Sequence, residues 1–170
     1  MDTHPCVGAA GVKMLTDDGR FLRESKRGYP TLAATFGKLS GLGKLFPRSK
    51  GLGGYYCNAL DADAIHRVEV LAGAFMLLRR SALEKSGLLD EDFFMYGEDT
   101  DLNRRIFQHY RTVYFPEITI IHDFEKGSHK NLRLFWIHVK AAVYYLNKWG
   151  WFFDKERRKI NQAIKKKYIK

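Results

Sequence analysis

The 170-residue sequence predicts an α/β fold, with a mixed sheet and flanking helices. Two observations predict it. Across the middle of the chain, apolar runs typical of strands and segments of helical periodicity follow one another in the order strand, helix, helix, strand. Hydrophobic residues make up 45% of the sequence, which is enough for one globular core at this length.

The first strand is predicted at Val7–Leu15, where apolar residues dominate. Asp17-Asp18-Gly19 supplies turn chemistry, and Arg20–Leu22 is expected to pair back as a second strand. From Gly37 to Gly54 the chain carries six of its fifteen glycines, which predicts a helical piece followed by a surface loop. This loop is not a P-loop, because its glycine spacing departs from GxxxxGK and no Ser or Thr follows Lys44.

Val68–Leu78 is a nearly continuous apolar run, and it predicts a buried central strand. A short helix follows. Ser81 and Glu84 have the spacing of a capping box, in which each side chain bonds a free amide at the helix start. Gly87 is well placed to end this helix.

The next helix is predicted from Glu98 to about His109, with Leu102 and Ile106 on one face. Val113–Ile121 is then expected to form a strand. Pro116 interrupts it, which favours an edge strand or two pieces.

From Asn131 onward the apolar residues recur at three- and four-residue steps, which predicts a long helix that Gly150 bends into a second one. Residues 126–170 hold thirteen Lys and Arg against two acidic residues, a local charge of +11 within a total of +10. We therefore divide the chain into a body, residues 1–125, and a basic, aromatic, helical extension, residues 126–170.

The extension has two interpretations that the sequence leaves open. All three tryptophans lie in it, and basic amphipathic helices with aromatic rings commonly lie on anionic membrane surfaces. Alternatively, the aromatic rings pack on the sheet while the lysines face water. No secretory signal or membrane-spanning run is visible, so we expect a cytoplasmic protein, with a peripheral position on the inner face of the plasma membrane left open.

Six of the nineteen acidic residues fall between Asp90 and Asp101. Helix-start chemistry accounts for part of this cluster, because carboxylates stabilise a first helical turn and Asp101 can pair with Arg105 four residues on. Asp99 is different. It lies three and seven residues before Leu102 and Ile106 and should point toward the packed face, as either a functional acid or half of a structural ion pair.

Three segments together resemble the C-terminal half of a family 2 glycosyltransferase, most closely the bacterial rhamnosyltransferase-like branch. They are residues 71–80 (LAGAFMLLRR), residues 87–102 (GLLDEDFFMYGEDTDL) with Arg105, and residues 120–122 (IIH). Each segment alone would be weak evidence for the family, but together they are strong evidence because they occur in the same order as in the family. The resemblance implies a GT-A fold and inverting transfer of a sugar from a nucleotide-sugar donor to a saccharide or lipid-linked acceptor, in cell-surface polysaccharide synthesis.

Residue roles are implied by the same resemblance. Asp99 matches the catalytic base, and His122 matches a histidine that helps to hold a divalent metal, Mn²⁺ or Mg²⁺, on the donor diphosphate. Without the resemblance, His122 would be taken for an ordinary strand-end histidine. The remaining matches are supporting acids, at Glu98 and Asp101, and substrate-binding positions, at Gly73, Ala74, Tyr96 and Arg105.

The family's N-terminal half, which binds the nucleotide, has no counterpart in the resemblance. Asp61-Ala62-Asp63 has the letters of its metal-binding element but stands in the wrong place, so we do not expect a metal there. The chain is accordingly expected to hold the acceptor side and the base, and to be weakly active or inactive alone.

The alternative function is a non-enzymatic basic and aromatic module that binds membrane, nucleic acid or a partner protein. A nucleic-acid binder would leave the acidic cluster at residues 90–101 unexplained. We therefore expect no nucleic-acid partner.

Overall fold

The computed structural model describes residues 1–39, 54–57, 60–123, 131–157 and 159. The expected glycine-rich loop lies mostly outside these residues. The described strands are β1 (Val7–Leu15), β2 (Lys26–Arg27), β3 (His66–Arg67), β4 (Val70–Leu71), β5 (Leu77–Leu78) and β6 (Arg111–Ile121). The described helices are α1 (Leu32–Leu39), α2 (Arg80–Ser86), α3 (Glu98–Phe107) and α4 (Leu132–Trp149), with 3-10 turns at Arg23–Ser25 and Gly54–Tyr56.

The main sheet has four strands in the order β3-β6-β1-β5. Strands β1 and β6 run parallel, whereas β5 on β1 and β3 on β6 run antiparallel. A second sheet pairs β2 with β4. The α/β class with a mixed sheet and flanking helices is therefore confirmed.

Strand β1 has the predicted bounds, but the segment after it does not form a strand. Phe21 makes a single antiparallel bridge to Leu15. Beyond it, the Leu22 N–H donates to the Met14 carbonyl across 2.9 Å, and the Met14 N–H donates to the Ser25 hydroxyl across 3.1 Å. Arg20–Leu22 therefore pairs back on β1 as predicted, but through a single bridge and not as a strand, because a 3-10 turn begins at Arg23.

The prediction of one buried central strand over Val68–Leu78 is also wrong. The run divides into β4, in the two-stranded sheet, and β5, at the edge of the main sheet. Between them the chain turns, and the Phe75 N–H donates to the Ala72 carbonyl across 3.3 Å. Val70 and Leu71 are buried, but Leu77 is 55% exposed, so apolar character did not mean burial along the whole run.

Strand β6 lies between β3 and β1, so it is not an edge strand, although β3 pairs with only two of its residues. Its pairing with β1 jumps from Val12 opposite Phe115 to Lys13 opposite Thr119. Pro116 falls in this unpaired stretch, where its missing N–H removes no ladder hydrogen bond.

The N-cap of helix α2 is Arg79, two residues before the predicted cap Ser81, and it makes no side-chain cap bond. Glu84 instead pairs with Arg80, across 3.0 Å from Oε1 to Nε. Gly87 ends the helix as predicted, with φ at +79°. Helix α3 begins at the predicted Glu98 but ends at Phe107, two residues before His109.

The core lies between the main sheet and helices α2 and α3. Its buried members are mainly aliphatic, with one phenol: Ala9, Val68, Leu71, Ala82, Leu102, Ile106 and Tyr114. Helix α4 has the predicted periodicity and begins at Leu132, after the N-cap Asn131, whose side chain accepts the Arg133 N–H across 2.8 Å. A second cluster packs α4 against Phe93 in the segment before α3.

Candidate active site

Asp99 lies in the first turn of α3, and two residues with positive φ set the direction of that turn. Tyr96 has φ of +68° and Gly97 has φ of +91°. A non-glycine residue in this region stores about 1 kcal/mol or more of strain and persists only where its surroundings hold it. Here the Tyr96 ring stacks on His138 of α4, with 4.6 Å between ring centroids.

The Asp99 carboxylate is bound at both oxygens. Oδ2 accepts from Nη2 of Arg27 across 2.5 Å and from the Gly73 N–H across 3.0 Å. Oδ1 accepts from the Thr100 hydroxyl across 3.1 Å. The side chain is 13% exposed, which confirms that it points toward the packed side of the helix.

The backbone at Gly73 lies close to the Asp99 side chain. A Cβ added at Gly73 would lie 3.1 Å from the Cβ of Asp99, tighter than ordinary van der Waals contact. The turn between β4 and β5 therefore needs a residue without a side chain there, so that its amide can reach the carboxylate. The neighbouring Ala74 is exposed on the same turn.

Arg27 is a site residue that the sequence analysis missed. It comes from β2, 72 positions before Asp99 in the chain. Its guanidinium also donates to the Leu71 carbonyl across 3.2 Å and to the Tyr55 hydroxyl across 3.1 Å. A buried acid implies a nearby cation, but no spacing in the sequence indicates which cation it is.

Asp99 and Arg27 shift one another's titration. Burial alone would raise the pKa of Asp99, but the Arg27 charge and the hydrogen bonds from Gly73, Arg27 and Thr100 hold that pKa below its ordinary value. Burial likewise works against the charged form of Arg27, and the Asp99 carboxylate keeps its pKa high. Asp99 is therefore an ionised proton acceptor at neutral pH.

Glu98 behaves in the opposite way. Burial, and then the adjacent Asp99 charge, raise the pKa of the Glu98 carboxyl. Its Oε2 is buried and has no hydrogen-bond partner among the described residues. Two neighbouring carboxyls are thus driven apart in pKa, an arrangement that often separates acid and base roles.

Asp101 and Arg105 form the predicted pair, with 2.9 Å between Oδ2 and Nε. Asp101 is fully buried and also accepts from the Trp149 indole across 2.7 Å and from Lys148 across 2.9 Å. The Arg105 guanidinium also donates to the carbonyls of Ser86 and Leu88, where it fixes the loop after α2. These contacts place both residues in the support of the loop, and their roles toward a substrate stay predictions.

The acidic cluster and the basic extension bind each other. Lys148 contacts the Asp90 carboxylate across 2.5 Å. The Tyr144 hydroxyl donates to Asp92 across 2.8 Å. Half of the clustered acids, Asp90, Asp92 and Asp101, therefore hold α4 against the loop before α3 and against the first turn of α3, which carries Asp99.

His122 follows the last residue of β6, and its N–H donates to the Leu15 carbonyl across 2.8 Å. In the part of the chain that the structure describes, no three His, Cys, Asp or Glu side chains gather in a metal-binding group. One imidazole does not make a metal site, so a divalent ion at His122 would need further ligands, such as the donor diphosphate. Asp63 pairs with Lys13, while Asp61 accepts the Asp63 N–H across 2.9 Å.

The surface of α4 carries exposed apolar side chains. Trp136 is 61% exposed, and Phe153, which follows the helix, is 86% exposed. Among the described helices, none is long and apolar enough to cross a bilayer.

Comparison with known proteins identifies similar sequences. Two curated proteins of Mycobacterium tuberculosis, from strains CDC 1551 / Oshkosh and ATCC 25618 / H37Rv, are each 34% identical to this chain over 119 residues. Each is named N-acetylglucosaminyl-diphospho-decaprenol L-rhamnosyltransferase. The resemblance to a rhamnosyltransferase-like glycosyltransferase is thereby confirmed.

The matched residues are 69% of this chain, and the chain spans 38% of the length of those relatives. No protein-family model and no solved structure matches it.

Proposed function

We propose that this chain carries the catalytic-base side of an inverting glycosyltransferase, in which Asp99 accepts the proton of the acceptor hydroxyl. The observation that carries the proposal is the Asp99 carboxylate itself. It is ionised and 13% exposed, and it is held at a helix start by a cation and a backbone amide, within a segment similar to rhamnosyltransferases.

The chemistry needs one well-placed base. As the acceptor oxygen attacks the anomeric carbon of the donor sugar, its proton passes to Asp99 and the bond from that carbon to the nucleoside diphosphate breaks. A positioned base of this kind contributes about 10² to 10⁴ in rate. The exposed turn at Gly73 and Ala74 borders the carboxylate, and it is the proposed place for substrate approach.

The substrates follow from the relatives. Their name describes transfer of L-rhamnose to N-acetylglucosaminyl-diphospho-decaprenol. We extend this chemistry to the present chain: a nucleotide-activated deoxyhexose as donor and a polyprenyl-diphosphate-linked saccharide as acceptor, in synthesis of a cell-surface polysaccharide.

Transfer by the 170-residue chain is the direct test. Purified chain is incubated with dTDP-rhamnose and a polyprenyl-diphospho-N-acetylglucosamine, and the disaccharide lipid is measured by mass spectrometry. Asp99→Asn should lower the rate by about 10² or more. Asp17→Asn, at an exposed turn, is the matched control and should match the wild-type rate. Equal transfer by Asp99→Asn and by the wild-type chain would refute the proposal.

A divalent metal remains part of the proposal, with His122 as one ligand. Calorimetric titration with dTDP and UDP, with and without Mn²⁺, tests this ligand. Metal-dependent binding that disappears in His122→Ala would support it. Metal-dependent binding that is equal in both chains would remove His122 from the site.

A membrane surface suits a lipid-linked acceptor, and the exposed face of α4 is its proposed contact. Trp136 is exposed on this helix, together with the cations Arg133 and Lys140. Beyond the end of the helix, Phe153 and Lys155 are exposed as well. Aromatic rings at headgroup depth, together with cations on anionic lipid, stabilise such contacts.

Flotation with vesicles of phosphatidylglycerol and phosphatidylcholine tests the membrane contact. The wild-type chain should float with the anionic vesicles at low salt. A Trp136→Ser, Phe153→Ser double variant should float at least tenfold less, whereas Trp149→Phe, whose ring lies half-buried against the body, should float like the wild type. Failure of the wild-type chain to float would contradict the proposed contact.

A further inference from the structure

Arg27 is attached to three parts of the fold. One guanidinium nitrogen, Nη2, donates to both Asp99 and the Leu71 carbonyl, and the other, Nη1, donates to the Tyr55 hydroxyl across 3.1 Å. Its side chain is 10% exposed, and the Tyr55 ring lies 6.0 Å from the guanidinium carbon. The cation is thus fixed in place before any substrate arrives, which lowers the entropic cost of holding Asp99 in one orientation.

The two oxygens of Asp99 are not used equally. Oδ2 receives a guanidinium N–H from Arg27 and the Gly73 amide, which together occupy its two lone-pair positions. Oδ1 receives one neutral donor, the rotatable hydroxyl of Thr100. Among the described residues, Oδ1 therefore keeps acceptor capacity that Oδ2 has lost.

Two charged groups face the Asp99 carboxylate. Arg27 approaches it from β2, and Glu98 is the preceding residue on helix α3. Tyr55 contacts Arg27, not the Asp99 carboxylate, through its hydroxyl. Arg27 lowers the pKa of Asp99, while the Asp99 charge helps to raise that of Glu98. A lower pKa makes Asp99 a weaker base in absolute terms but keeps it ionised at every pH where the protein would work.

We propose that Arg27 is the positioning residue of the transfer reaction: it holds Oδ2 of Asp99 and so presents Oδ1 to the acceptor hydroxyl. This inference rests on the proposed function. The hydroxyl proton moves to Oδ1 as the new carbon–oxygen bond forms and the nucleoside diphosphate leaves, and Arg27 keeps its own protons throughout. A merely structural ion pair would need neither a Gly73 amide on the same oxygen nor a second oxygen left available.

The first measurement is independent of activity. In the 170-residue chain labelled with ¹³C-aspartate, the Asp99 carboxyl signal, assigned with Asp99→Asn, is titrated by NMR. Arg27→Met should raise the Asp99 pKa by about one unit or more, and Arg27→Lys should keep it low. Arg20→Met, an exposed arginine that is 82% accessible, is the matched control and should leave the titration unchanged.

The second measurement is the transfer assay described above. Arg27→Met should lower kcat by about 10²-fold with little change in KM, because a misplaced base slows the step without weakening binding. Arg27→Lys should restore part of kcat. Circular dichroism at pH 7 verifies that each variant is folded, and if Arg27→Met does not fold, Arg27→Gln takes its place.

The outcomes separate the two proposals. If the wild-type chain transfers sugar and Arg27→Met transfers it equally well, only the positioning role is overturned. An unchanged Asp99 titration in folded Arg27→Met also overturns that role. If Asp99→Asn transfers sugar as well as the wild-type chain does, the proposed function fails and the positioning role fails with it, even where the NMR titration shows the ion pair intact.

Discussion

Trp149 donates its indole N–H to the buried carboxylate of Asp101 across 2.7 Å, and this bond joins the end of α4 to the first turn of α3. The same oxygen of Asp101 contacts Lys148. Helix α3, which presents the candidate base, is therefore held by the basic extension, although the charge pattern of the sequence sets that extension apart from the body.

Trp149→Phe should destabilise the protein by about 1 to 3 kcal/mol, because it removes one donor from a fully buried carboxylate. Urea unfolding followed by circular dichroism measures this change. Trp151→Phe is the matched control. The Trp151 indole bonds Asn147 at the surface, so its loss should change stability by less than about 0.5 kcal/mol. Equal effects of the two substitutions would contradict this assignment.

Arg104 and Asp154 make a two-pronged ion pair, with 2.7 Å and 2.8 Å between guanidinium and carboxylate, at 2% and 3% exposure. Asp154→Ala should destabilise the chain by about 3 to 5 kcal/mol, because it leaves a buried guanidinium without its main counter-charge. The double variant Arg104→Met, Asp154→Leu should lose less than Asp154→Ala in the same urea experiment. A greater loss in the double variant would show that the pair itself is strongly favourable.

Stability should fall in acid. Burial works against the charged form of Asp154, but Arg104 and the Arg157 amide hold its pKa below the ordinary value, and the pKa of Asp99 is lowered as well. Such groups stabilise the fold fully above their unfolded pKa, near 3.8, and lose this contribution as pH falls through their folded pKa. Unfolding free energies measured from pH 5 to pH 2 should decline below about pH 4, and the decline should be shallower in Asp154→Asn.

Glu98→Gln should have the opposite sign. Because burial and Asp99 raise the pKa of Glu98, its ionised form at pH 7 opposes folding, and this penalty disappears once pH falls below its unfolded pKa. The variant should be more stable than the wild type at pH 7, and the difference should shrink toward pH 4. A difference that does not vary with pH would rule out ionisation of Glu98 as the cause.

Gly73→Ala should disturb the site more than the fold. The added Cβ would lie 3.1 Å from the Asp99 Cβ, so the carboxylate or the turn must shift by a few tenths of an ångström. We expect about a tenfold loss of transfer rate and a stability change within about 1 kcal/mol. Gly19→Asn, in an open turn where asparagine tolerates positive φ, should change neither.

Periodicity predicted the elements whose two faces differ clearly. The bounds of β1, the start of α3 and the start of α4 follow the sequence pattern. The same reasoning failed at Val68–Leu78, because an apolar run does not indicate which of its residues turn outward. There the turn is dictated by Gly73 approaching Asp99, a contact between residues 26 positions apart.

The partners of the acidic cluster could not be predicted from spacing. That Asp99 required compensation was clear from its helical position, but its cation comes from a two-residue strand with no pattern of its own. Lys148 and Tyr144 likewise stood in a segment whose charge suggested solvent or membrane. Tertiary pairing over more than fifty positions, Tyr144 with Asp92 and Lys148 with Asp90, is invisible to local rules.

The edge of β1 that faces away from β6 is covered by the chain itself, and this affects how another molecule could pair with the sheet. Strand β5 pairs with only Ala9 and Ala10. Farther along that edge, the Leu22 N–H donates to the Met14 carbonyl, and the Ser25 hydroxyl accepts the Met14 N–H. A foreign strand seeking to extend the sheet there would have to displace the chain's own turn. This part of the β1 edge is thus closed to a further strand by one serine hydroxyl and one leucine amide.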